Sequence, residues 1–125
     1  MAKRFDFNRR CDYDADAKAA FHSTGRARMR ALAKALNLAP GTYDVRSNQG
    51  GIAVSGEVTL HAENVYVQAS QSSMGASMGI LIRTCEGRRD YTGGHNNFAP
   101  LDALNDIPAL AARVQSVIAA GHRRF

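Results

Sequence analysis

The chain has 125 residues, 45% of them hydrophobic and 22% charged, with a formal net charge of +5. That is the length of a single domain with one core, and the balance is globular, which excludes wholesale disorder. No run of about eighteen apolar residues occurs, so no transmembrane helix and no membrane partner are expected.

The basic N-terminus, MAKRFDFNRR, has no apolar stretch behind it of the kind a secretory signal requires, and the chain reads as cytoplasmic. The two cysteines, Cys11 and Cys85, are far apart and lack any CxxC or Cys/His ligand spacing. They read as buried thiols acting as small hydrophobes, and no zinc site is expected. An irregular metal site, such as His95 with carboxylates, is left open by spacing alone. Residues 1–35 hold nine Lys/Arg against four Asp, so the N-terminal third carries the whole excess charge. Such a charge favours anionic partners.

Residues 1–12 read as a basic arm or an extra strand. Over residues 14–37, Phe21, Met29, Leu32, Ala33 and Leu36 recur at helical spacing, with Asp12 or Asp14 as N-cap and Asn37, Pro40 and Gly41 as the stop. Gly25 predicts a bend or split, with Ser23 or Thr24 capping the second half. On the other face Arg26, Arg30 and Lys34 form an i, i+4, i+8 basic stripe, either a solvated face or a phosphate-contacting one.

From Thr42 the period becomes two. TYDVRS, IAVSGEVTLH, VYVQAS and ILIRTC read as four strands, the second placing Ile52, Val54, Val58 and Leu60 on one face. Gly56 in that run predicts a bulge or a close backbone approach. ILIRTC, the most apolar, reads as a central strand or one covered on both faces. Short connections make an antiparallel meander the economical topology. Residues 86–100 read as a long polar loop. Asp106, Pro108 and Gly121 bound a last helix with Ile107, Leu110, Ala111, Val114, Val117 and Ile118 on its apolar stripe, and 122–125 form a basic tail. The expected fold is α+β, order α-β-β-β-β-α, with both helices packed on one face of the sheet.

Catalytic motifs fare poorly. GASMG (75–79) spells G-x-S-x-G, but a nucleophile elbow needs a strand before the serine and a helix after it, and here strands stand on both sides. Cys85 ends an apolar strand with no orienting group, and Glu86 and Asp90 lie among arginines that would neutralise them. His22, His61 and His122 read as structural.

The informative stretch is GRRDYTGGHNNF (87–98). Arg88 and Arg89, with Arg83 just before them, offer planar forks for phosphate or carboxylate. Tyr91 and Phe98 offer ring faces, and His95, Asn96 and Asn97 offer polar edges on a glycine-flanked loop. The leading expectation is a small non-enzymatic binding protein, without cofactor, touching an anionic partner: nucleic acid or a nucleic-acid-handling protein. The partner-binding residues would be Arg83, Arg88, Arg89, Tyr91, His95, Asn96 and Asn97. By size and charge alone it matches the accessory and inhibitor proteins of mobile genetic elements. A structural or assembly subunit is an alternative.

A second alternative is enzymatic. The run GGHNNFAPLDAL (93–104) resembles the core of HNH nucleases. That resemblance implies a metal-dependent nuclease in which His95 activates water and Asn96 or Asn97 orients the site. The chain has no acid–histidine pair on a preceding strand and no metal-binding histidine on the following helix.

Overall fold

In the computed structural model the described residues are 4–71, 75–91 and 94–121. The tail 122–125 with His122, the first three residues and Gly93 of the loop lie outside them. Helix α1 (Ala15–Ala35) precedes strands β1 (Tyr43–Asn48), β2 (Glu57–Ala62), β3 (Val65–Ser70), β4 (Ile80–Thr84) and β5 (Asn97–Ala99), and helix α2 (Ile107–Ala120) follows. The sheet is an antiparallel meander in the order β1-β2-β3-β4-β5. The fold is α+β as expected, but with five strands rather than four.

The fifth strand comes from inside the expected polar loop. Asn97, Phe98 and Ala99 pair with Ile82, Leu81 and Ile80. Three residues cannot display a period, and Asn-Asn-Phe reads as turn chemistry. The free edge of β4 makes them a strand. β4 is therefore fourth in the sheet, and β3 is central.

Side-chain alternation splits the sheet into two faces. Val58, Leu60, Val65, Val67, Ile80 and Ile82 point into the core, all fully buried, against Phe21, Met29, Leu32 of α1 and Leu110, Val114 of α2. Each such side chain contributes about 1.5–3 kcal/mol relative to exposure. Both helices cover this one face.

Asp14 caps α1 through the Ala17 N–H at 3.0 Å, and Asp106 caps α2 through that of Ala109. The expected break at Gly25 does not occur: α1 is continuous. A Cβ at Gly25 would fall 3.0 Å from Val58 Cγ2, so glycine serves a close approach of helix to sheet. Gly56, at φ +76, lies just before β2, where a Cβ would fall 2.2 Å from the Asn48 carbonyl oxygen.

β2 begins at Glu57, so Ile52 and Val54 are not on its core face. They stand on the β1–β2 connection, 71% and 49% exposed, because Gly50 and Gly56 with positive φ fold that segment away from the sheet. The segment is tied to α1 from below. The buried His22 ring bonds Ser47 Oγ and, at 2.7 Å, the Ser55 carbonyl, and Lys18 Nζ reaches the Gly51 carbonyl at 2.8 Å. Residues 4–14 contain neither strand nor projecting arm. They run in turns that bury Phe7 and Cys11, held by Gln71, which donates to the Phe7 and Arg9 carbonyls at 3.0 and 2.6 Å.

Candidate binding surfaces

The outer face of the sheet carries two rows of side chains set by the pairing register. One runs Asp44–His61–Tyr66–Arg83, the other Arg46–Thr59–Gln68–Leu81–Phe98. An outer face open to water would leave these exposed. Instead His61 is 1% and Tyr66 7% exposed, because the chain after β4 folds back over the first row.

Tyr91 is the residue that closes it. Its ring meets His61 edge-on at 5.2 Å, its hydroxyl accepts from Arg46 Nη1 at 2.9 Å, and its carbonyl accepts from Arg83 Nη2 at 2.7 Å. Arg83 in turn lies 4.7 Å above the Tyr66 ring, a cation–π contact. Beside this cluster a groove of about 420 Å³ opens between Arg46, Thr59, Tyr66 and Tyr91.

Burial holds His61 below its ordinary pKa, partly offset by the Gly87 backbone, and its ring nitrogens have no hydrogen-bond partner of normal geometry. The imidazole is therefore neutral near pH 7. Burial also raises Tyr66 and the Cys85 thiol, whose Sγ lies 3.4 Å from the Ala62 carbonyl oxygen. A buried thiol pushed upward is a poor nucleophile.

The candidate loop residues separate by what they touch. Arg88 is engaged within the protein: it donates to the Gly41 carbonyl at 3.0 Å and to Glu63 at 3.1 Å, and stands 3.9 Å from Asp44. Asp90 accepts from the Glu86 N–H at 2.9 Å. Asn97 donates to the Ile82 and His95 carbonyls at 3.3 and 3.1 Å. Arg89, His95 and Asn96 are exposed, and Tyr91 is 56% exposed. The stretch is thus part latch and part surface.

His95 sits apart from Arg88 and Tyr91. Together with Asn97 and Thr84 it faces Arg113, Ser116 and Val117 of α2 across a cleft of about 320 Å³. Arg113 and Ser116 were not sequence candidates. Their i, i+3 spacing was legible, but nothing local indicated that the loop would return to this helix.

In the helix layer the acids stand at the helix starts, Asp14 and Asp16 at α1 and Asp102 and Asp106 ahead of α2. Asp44, Glu57, Glu63 and Asp90 lie on the strands or the turns joining them. Residues 17–43 and 107–125 contain no Asp or Glu. Arg30, Lys34 and Arg113 are exposed and Arg26 is half-buried, and among the described residues none of the four is in an ion pair. Arg4, Arg9, Arg10, Arg46 and Arg88, by contrast, are each paired with a carboxylate.

Ser77 of the G-x-S-x-G run sits exposed on the 3-10 turn Ala76–Met78, in an all-antiparallel sheet that supplies no nucleophile elbow. Among the described residues no three His, Cys, Asp or Glu side chains group closely enough to hold a metal ion, and no helix is long and apolar enough to cross a membrane. No protein-family model, curated protein or solved structure matches this chain.

Proposed function

We propose that this chain is a non-enzymatic binding protein whose partner is nucleic acid, with the helix layer meeting phosphates and the exposed loop residues Arg89, His95 and Asn96 at the margin. One observation carries the reading: Arg26, Arg30, Lys34 and Arg113, which take part in none of the described ion pairs, lie on stretches of helix that contain no Asp or Glu. Ordinary solvated helices alternate charge. A one-sign face neutralises phosphates and releases counterions. In this role the chain would act as an accessory or inhibitory protein of the kind mobile genetic elements carry.

A protein that itself handles nucleic acid is the second reading. It is favoured by Tyr13 and Ile52, each 71% exposed, which are tied together by a 2.8 Å bond from the Tyr13 N–H to the Ile52 carbonyl. Apolar side chains displayed on a braced segment suit a protein partner. The nuclease reading draws less support, since the cleft holding His95 contains the Arg113 guanidinium, which repels a divalent cation.

The test is a salt titration of affinity for labelled duplex and single-stranded DNA. Log affinity should fall linearly with log salt, and Arg26→Ala, Arg30→Ala and Lys34→Ala should each reduce the slope by about one. A flat response would transfer the proposal to a protein partner. An unchanged slope in the triple variant would remove the helix layer from it.

A further inference from the structure

Edge strands of soluble proteins are usually guarded by proline, a bulge, lysine or a covering element, because their outward N–H and C=O groups recruit another strand. β1 has no proline, lysine or bulge, and the two charges it carries, Asp44 and Arg46, are of opposite sign. Its six residues, YDVRSN, pair with β2 without interruption, and no described backbone group bonds their outer side. On the core side Tyr43 and Val45 remain only half-buried, leaving apolar surface at the rim of the core. The occupant that fits is a second copy of the same strand.

We propose that two copies of this chain pair antiparallel through β1 about a two-fold axis at Val45, joining their five-stranded sheets into one continuous sheet. Charge selects this register. A two-fold perpendicular to the sheet keeps both helix layers on the same side, so residues facing each other across the axis must belong to the same face. With Val45 on the axis, Asp44 stands opposite Arg46 of the second copy, and Arg46 opposite its Asp44. Tyr43 then faces Ser47. Moving the axis one residue either way sets Arg46 against its own copy, or Asp44 against its own. Like charges directly opposite destabilise a sheet pair, and opposite charges stabilise it. The intrachain bond from Arg46 Nη2 to Asp44 Oδ2, at 3.1 Å, keeps the two groups in close reach, and pairing would exchange it for two interchain equivalents. The same operation would set both Arg26–Arg30–Lys34 stripes on one side of the joined sheet, enlarging the acid-free face. Pairing does not depend on the nucleic-acid reading and can stand if that reading fails.

The experiment is sedimentation of the full chain and its charge variants, with circular dichroism and a thermal melt of each to establish folding. The wild type should sediment at twice the 13.5 kDa of one chain. Asp44→Arg alone and Arg46→Asp alone should each sediment as monomers, because both place like charges opposite. An equimolar mixture of these two variants should recover the doubled mass, since each is the other's complement. The double variant Asp44→Arg/Arg46→Asp, which restores the pattern within one chain, should do so by itself. Should a single variant not fold, the double variant and the slow amide exchange expected for the outward N–H groups of β1 in the wild type decide the matter. A monomeric wild type, single variants that stay dimeric, a mixture of folded variants that stays monomeric, or fast exchange along β1 overturns the proposal.

Discussion

The ring of Tyr91 stands edge-on over the ring of His61, centroids 5.2 Å apart and planes at 74°, so a half-exposed loop tyrosine seals a histidine that is only 1% exposed. The loop is therefore a structural element of the sheet's outer face as well as a surface. Its residues cannot be treated as one functional unit.

Acid should loosen this arrangement. Burial lowers the pKa of both His61 and His22 below the ordinary value of 6.5. In the window between that value and the depressed folded values, the unfolded chain binds more protons than the folded one. Stability is thus complete above about pH 6.5, falls as pH drops through the window, and levels off below the folded pKa values. The thermal midpoint should be flat from about pH 8 to 7 and decline toward about pH 5.5. His61→Phe, which keeps a ring beneath Tyr91, should make that decline shallower. A decline of the same steepness in the variant would remove His61 as a cause.

Adjacent arginines should behave differently. Arg88→Ala removes the link from the loop to Gly41, Glu63 and Asp44, and the melt should fall by the equivalent of about 1 kcal/mol, the net worth of a charged hydrogen bond at a partly exposed site. Arg89→Ala removes an exposed side chain, so the melt should not move, while affinity for DNA should drop. Equal melts for the two variants would contradict the division of the loop into latch and surface.

At Gly25 the intrinsic helix preference and the packing oppose each other. Alanine is favoured over glycine by about 1 kcal/mol in a helix interior. Here its Cβ would press within 3.0 Å of Val58 Cγ2, and Val58 is a fully buried, β-branched residue with little freedom to turn aside. Gly25→Ala should therefore destabilise in urea unfolding, and the added Val58→Ala should make the same change harmless or favourable. If Gly25→Ala stabilises the wild type, the close approach of helix to sheet is not limiting.

Where sequence reasoning succeeded, the signal was local. The Asp14 and Asp106 caps, the Gly121 stop, the apolar stripes of both helices and the alternation of β3 all arise from interactions within a few residues. The failures were tertiary. Gly25 looked like a helix breaker because the sheet that needs its missing side chain lies more than thirty residues away. Ile52 and Val54 matched a strand's period but are carried off the sheet by Gly50 and Gly56, and Asn97–Ala99 had no period to match.

The candidate site shows the same division. The residue types able to meet an anionic partner, and the basic stripe Arg26–Arg30–Lys34, were visible in the chain alone, since helical spacing decides which side chains share a face. Which cations remain available could not be, because Arg88 meets Glu63, Arg83 meets Tyr66, and His95 faces Arg113 only after the meander closes. Composition and period determined that this chain is a two-helix, antiparallel α+β domain with an excess of positive charge. Only the tertiary structure decided where that charge is neutralised and where it stays unpaired, because ion pairing depends on distances between residues that the sequence keeps far apart.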